Sequence, residues 1–225
     1  MRFFHAILAV ACLLAAPAHA FDVRQILESS GILNAGMNAA FDQNRSSPAQ
    51  LYFDFLLPED SDALRVIVQP GDAPSYMTIF LGQPDGALVE TVAFLNIPVP
   101  EVETEQRLGG LARAMRDTFF PMLTQQHAEP SVMRISEATL GPYPAVELLG
   151  RYQEGGETGR GLIYVRMLGV LPPSGENTLL LYSLMNAGIL QPETTWDLTN
   201  GFGGHIARSL QFVAWRDANG DMVPF

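Results

Sequence analysis

The runs VMRISEAT (132–139), AVELLGRY (145–152), LIYVRMLGVL (162–171) and LLLYSLM (179–185) decide the fold class. Each has strand length and is rich in aliphatic, β-branched and aromatic residues. Turn-formers separate them: Gly141-Pro142-Tyr143-Pro144, then Glu154 to Gly159, then Pro172 to Asn177. Connections this short join antiparallel neighbours, so the four runs predict a meander of hairpins.

Folding the hairpins about their turn centres pairs residue 134 with 151, 136 with 149, 147 with 166 and 166 with 182. One face then carries Met133, Ile135, Val146, Leu148, Ile163, Val165, Met167, Leu181 and Met185, a core face. The other carries Arg134, Ser136, Glu147, Arg151, Tyr164, Arg166 and Tyr182 among aliphatics. In this register Arg134 faces Arg151, and like charges directly opposite favour an anion between them. Arg134, Arg151, Ser136 and Tyr164 are therefore the candidate contacts for an anionic or polar ligand. Glu147, Arg166 and Tyr182 form a structural polar row, in which an acid, a guanidinium and a phenol share charge-assisted hydrogen bonds. A plain exposed sheet face is the alternative for the same residues.

Upstream lie four more strand-like runs: Leu51 to Leu57, Leu64 to Gln69, Tyr76 to Leu81, and Leu88 to Asn96. The turn Gln83-Pro84-Asp85-Gly86 separates the last two. After a stiff connector at Ile97 to Pro100, a helix is expected from about Glu103 to Phe120, with Leu108, Leu111, Met115 and Phe119 along one side and Pro121 ending or kinking it. A closing helix is expected from about Glu193 to Phe212. A leading helix, capped by Asp22, is expected through Val23, Ile26, Leu27, Leu33, Met37, Ala40 and Phe41, weakened by Gly31 and Gly36. The fold class is α+β: a largely antiparallel sheet of two four-strand meanders packed with helices, in the order α-β4-α-β4-α. Residues 21–225 are expected to form one domain with a short polar tail from about 214.

A helix, a meander of long strands ending in a polar turn, and a closing helix ending Ile206-Ala207-Arg208-Ser209-Leu210-Gln211-Phe212 resemble the Mog1/PsbP/DcrB group of α/β/α sandwiches. The resemblance covers about Leu51 to Phe212 and is one of layout. It implies a binding or assembly module rather than an enzyme, and it carries over no functional residue.

The first twenty residues have the form of an export signal. Arg2 gives the charged start, Ala6 to Ala16 an apolar run, and Ala18-His19-Ala20 a small-residue site with cleavage expected between Ala20 and Phe21. Acylation at Cys12 is the weaker alternative. Periplasm is the expected compartment, with the extracellular medium the other possibility. All 13 basic residues are arginine, and the single cysteine lies in the signal. The exported chain thus has no Schiff-base lysine, P-loop lysine, cysteine nucleophile, disulfide or thiolate metal ligand. Cleavage removes Arg2 and no acid, so 24 acids face 12 arginines, a formal charge of −12. Such a charge repels nucleic acid. No later segment is long enough to span a membrane.

Short motifs carry little. Gly201-Phe202-Gly203-Gly204-His205 resembles a phosphate loop, but no strand precedes it and Ile206 stands where the third glycine belongs. Asp217 to Asp221 begins like a calcium loop, with Met222 at the glycine position. The two remaining histidines, His127 and His205, have no partner histidine at helical or strand spacing, so no metal and no cofactor is expected. No Gly-x-Ser-x-Gly and no His-Glu-x-x-His occurs. The expected function is a non-catalytic exported binding or assembly module of the cell envelope. Its partner is an unknown envelope protein or a small anionic or polar ligand, and neither nucleic acid nor a transmembrane segment is involved. The alternative is a secreted hydrolase with a carboxylate-based site on the exposed sheet face.

Overall fold

A computed structural model describes residues 32–37, 51–58, 62–68, 75–100, 102–155, 161–173, 175–213, 215–216 and 222–223. The export signal with Cys12, the Ala20/Phe21 cleavage position and the acidic run Asp217 to Asp221 lie outside them.

The second meander forms as its alternation predicts. Strands β6 (Ala128–Leu140), β7 (Tyr143–Glu154), β8 (Gly161–Val170) and β9 (Asn177–Asn186) pair in sequence, each antiparallel to the last. From the first set, β3 (Leu64–Val68), β4 (Ser75–Gly82) and β5 (Leu88–Pro98) form a second meander. Strand β5 pairs antiparallel with β9, which joins the two into one seven-stranded sheet of order β3-β4-β5-β9-β8-β7-β6. The fold class is α+β with a largely antiparallel sheet, as expected.

One of the eight expected strands goes elsewhere. β2 (Phe53–Pro58) pairs with β1 (Ile32–Met37) and β10 (Gln211–Phe212) in a separate three-stranded sheet. Its alternation gives Phe53 and Phe55 a common inward face, and both rings stack on Phe94 of β5, at 5.1 and 4.8 Å between centroids. That buried aromatic contact lies between layers, so β2 crosses to the facing layer instead of extending the meander. The leading helix is corrected over its described part: residues 32–37 are strand β1, antiparallel to β2, while Val23, Ile26, Leu27, Ala40 and Phe41 lie outside the described residues. Asparagine and glycine at 34 and 36 are poor helix formers, and β2 offers a complete hydrogen-bonding edge.

The chain crosses from β5 to the far edge through helix α1 (Thr104–Ala114), a π-helical turn (Met115–Phe119) and helix α2 (Phe120–Thr124). Pro121, expected to end or kink this helix, does not end it, since α2 runs through it. The wider turn before it, closed by Phe120 N–H on the Met115 carbonyl, lets the chain pass a residue that has no N–H to give. Two glycines seat this helix on the sheet. A Cβ on Gly169 would stand 2.6 Å from Leu111 Cδ2, and one on Gly150 would stand 2.4 Å from Phe120 Cε2. Leu108, Leu111, Met115 and Phe120 thereby reach Val146, Leu148, Ile163 and Val165 in one core.

The closing helix is broken. After a short turn, α3 (Ala187–Leu190), come α4 (Thr195–Asn200), with a Thr194/Asp197 capping box, and α5 (Phe202–Ser209). Gly201 between them is extended, at φ −66° and ψ −163°. Phe202, Ile206 and Leu210 pack with Phe53, Phe55 and Phe94 in the core on the other face of the large sheet. Within the expected tail, β11 (Trp215–Arg216) and β12 (Met222–Val223) pair as a ribbon.

Candidate functional site

The arginine face exists, in a different register. β6 turns into β7 at Gly141-Pro142, with Leu140 opposite Tyr143 and Gly141 at φ 56°, so each strand runs farther into the turn than expected. Arg134 therefore faces Leu149, and Arg151 faces Ser131 and Tyr164. Shifts of two residues keep the faces, so Arg134, Ser136, Glu147, Arg151, Tyr164 and Arg166 still share one. Met133 does not join the core: a bulge between Val132 and Arg134 leaves it exposed.

The β8–β9 hairpin is shifted by one residue, and that flips a strand. Arg166 faces Ser183, and Met167 faces Tyr182. Tyr182 thus belongs to the α1–α2 face and leaves the polar row, while Leu181 and Met185 change to the arginine face.

Glu147 is the hub of what remains. It faces Ser136 and Leu168, one diagonal step from both Arg134 and Arg166. Its Oε1 accepts from Arg166 Nε at 2.9 Å, and its Oε2 accepts from Arg134 Nη2. The side chains of Glu147 and Arg166 are 9% and 10% exposed, whereas that of Arg134 is 48% exposed. One pair is therefore interior, and the other reaches solvent. The diagonal thus gives Arg134 an acid that a row-by-row pairing overlooks. Arg134 and Arg151 lie on adjacent strands and one face, but not opposite each other.

Arg166 continues the chain of contacts. Its Nη1 donates to the Thr199 carbonyl at 3.3 Å, at the C-terminal end of α4, where carbonyls favour a cation. Arg208 of α5 donates to the same carbonyl at 3.4 Å and to Asn200 Oδ1 at 2.7 Å. Gly204 permits this junction, since a Cβ there would lie 2.1 Å from Thr199 O. Burial and the charge of Arg166 both lower the pKa of Arg208. Two guanidinium groups thus share one carboxylate and a third shares the Thr199 carbonyl with Arg166, with the exposed Arg151 on the same face as Arg134 and Arg166.

A second carboxylate was not anticipated. Glu90 of β5, which faces Met185, is 1% exposed. Its Oε1 accepts the N–H of Gly203 in the first turn of α5, at 2.9 Å. Burial pushes its carboxyl up to about 7, opposed by the amides of Gly203 and Phe202, the charge of Arg166 and the Ser183 hydroxyl. The glycine run at 201–205 thus meets a carboxyl group of the protein's own. The signal was present in the sequence: Glu90 lies inside the apolar run from Leu88 to Leu95.

The histidines lie apart. His127, after α2, stacks on Tyr152 at 4.4 Å on the α1–α2 face. His205 is half-buried on α5 across the sheet, where burial and then the charge of Arg208 lower its pKa.

No family model matches the chain, and no curated protein matches it. Several solved structures are similar. PsbP (CyanoP) of the cyanobacterium Synechocystis matches with 11% identity and a TM-score of 0.49, over 82% of this chain and 94% of its own. LpqN of Mycobacterium tuberculosis, described as involved in cell envelope biogenesis, matches with 15% identity and a TM-score of 0.46, over 87% and 99%. The yeast Ran-binding protein Mog1p matches with 8% identity and a TM-score of 0.36, over 80% and 96%. PsbP and Mog1p, which name the group expected from the order of elements, are thus among the similar structures.

Proposed function

We propose that this chain is an exported, non-catalytic binding or assembly module of the cell envelope, which offers Arg134 and Arg151 to an anionic group on a partner or small ligand. The carrying observation is the charge imbalance of one small region: Arg134 and Arg166 share Glu147, Arg166 and Arg208 share the Thr199 carbonyl, and Arg151 lies on the same face, on a chain whose exported form carries −12. An acidic protein that concentrates its cations attracts anions there and repels them elsewhere. The guanidinium forks of Arg134 and Arg151 can engage a carboxylate or phosphate in bidentate fashion. Ser136 and Tyr164, half-buried on the same face, and Ser131, directly opposite Arg151, are neutral hydrogen-bonding neighbours.

The same geometry favours binding over hydrolysis. Both oxygens of Glu147 are engaged by guanidinium groups, and Glu90 is sealed inside. A glycosidase-type pair needs two carboxyl groups that both reach the substrate. Among the described residues no helix is long and apolar enough to cross a membrane.

The test is capture from native envelope extract with the wild type and an Arg134→Ala/Arg151→Ala variant, with mass-spectrometric identification. A partner retained by the wild type, lost by the variant and released by salt supports the proposal. An identical set of captured proteins for both forms counts against it.

A further inference from the structure

Across the sheet from the arginine face, a cavity of about 230 Å³ opens between the α1–α2 segment and the middle strands. Phe119, Met122 and Leu123 line it from the helical side, and Leu95, Met167, Leu180 and Tyr182 from β5, β8 and β9. Its origin is visible in the packing. The glycine notches at Gly150 and Gly169 draw the helix down over β7 and β8. While Phe120 stays seated on Gly150, Phe119, Met122 and Leu123 face the side toward β9 and β5. Opposite Tyr182, β5 supplies only Ala93, so no large neighbour fills the space beside the ring.

The lining chemistry selects the occupant. Six of the seven lining residues are hydrocarbon or thioether side chains, a lining that suits apolar guests. A cavity of roughly 150 Å³ of this kind holds a benzene molecule, so this one has room for a short hydrocarbon chain. Met122, 61% exposed at the mouth, and Met167, buried at the base, can change rotamer to fit a flexible guest. The one polar atom is the Tyr182 hydroxyl. Burial alone raises its pKa, with no hydrogen bond or charge contributing. A phenol in apolar surroundings gains from a partner oxygen, which a guest can bring.

We propose that this cavity is a binding site for the hydrocarbon end of a small neutral amphiphile, whose oxygen hydrogen-bonds with Tyr182. The site is separate from the arginine face, and neither depends on the other. The probe is 1-octanol, titrated into the protein while the methionine methyl resonances are followed by NMR. Met122 and Met167 should shift and saturate, while Met77, in the core on the opposite face, should not. Tyr182→Phe should weaken binding about three- to tenfold, the worth of one hydrogen bond. Leu95→Trp, which fills the cavity from its half-buried rim, should abolish the shifts. The Arg134→Ala/Arg151→Ala variant should bind octanol as the wild type does. No saturable shift at Met122 and Met167 would overturn the proposal, as would shifts that both Leu95→Trp and Tyr182→Phe leave unchanged. If Leu95→Trp does not fold, Tyr182→Phe decides alone.

Discussion

Gly203 donates its backbone N–H to Glu90 Oε1 at 2.9 Å, tying the first turn of α5 to the start of β5 across 113 residues of chain. Because burial holds the Glu90 carboxyl up to about 7, against 4.5 for a free one, the folded state binds more protons than the unfolded state between those values. Stability therefore falls as pH rises through that window and levels off above about 7. A displacement of this size corresponds to roughly 3 kcal/mol. Urea unfolding at about pH 5 and about pH 8 should show the loss, and Glu90→Gln should flatten it and be the more stable protein at the higher pH. Parallel profiles for the two proteins would refute the assignment.

The same contact makes Gly203 irreplaceable. A Cβ there would stand 2.7 Å from Glu90 Oε1 and 2.8 Å from Ser183 Oγ, both in the buried layer between α5 and the sheet. Gly203→Ala should cost about 2 kcal/mol through overpacking. Gly109 of α1 has nothing within 4 Å of its Cβ position, so Gly109→Ala should instead add about 0.5–1 kcal/mol of helix propensity. Thermal midpoints moving in opposite directions are the expected result.

The sheet was legible because its strands alternate and its turns announce themselves, and β6 to β9 were placed to within a few residues. Register was the weak link. A two-residue error at Gly141-Pro142 left every face correct, while a one-residue error in the β8–β9 connection sent Tyr182 to the wrong side. Loop length alone does not fix that parity. The Glu147–Arg166 contact was found for an imperfect reason, since the two are diagonal rather than opposite. Arg208 and Glu90 were missed because their partners come from distant elements, and no local period reports such contacts. The departure of β2 to another layer likewise depends on stacking against Phe94, 41 and 39 positions from Phe53 and Phe55.

The two ion pairs of Glu147 should separate cleanly in a mutant cycle. Glu147→Gln leaves the interior Arg166 without its carboxylate and should cost about 3 kcal/mol, as breaking a buried pair does. Arg134→Ala removes a half-exposed partner and should cost at most about 1 kcal/mol. In the Glu147→Gln background, Arg134→Ala should cost nothing further. Denaturant midpoints of the four proteins measure this, and equal losses for both single variants would place Arg134 in the interior brace.

The seat of α1 can be tested in the same way. Gly169 lies beneath Leu111, and the 2.6 Å from its missing Cβ to Leu111 Cδ2 leaves no room for a methyl group. Gly169→Ala should therefore cost about 1–3 kcal/mol by pushing the helix off β8. Leu111→Ala alone should cost about 2–5 kcal/mol, because Leu111 is fully buried and its removal opens a cavity. Together the two changes should cost less than their sum, since the new methyl occupies space that Leu111 has vacated. A coupling of at least about 1 kcal/mol, measured from denaturant midpoints, is expected for this pair. Gly150 meets Phe120 instead, so Gly150→Ala combined with Leu111→Ala should be closer to additive. Strict additivity for Gly169 with Leu111 would mean that the helix is held over β8 by something other than the glycine notch.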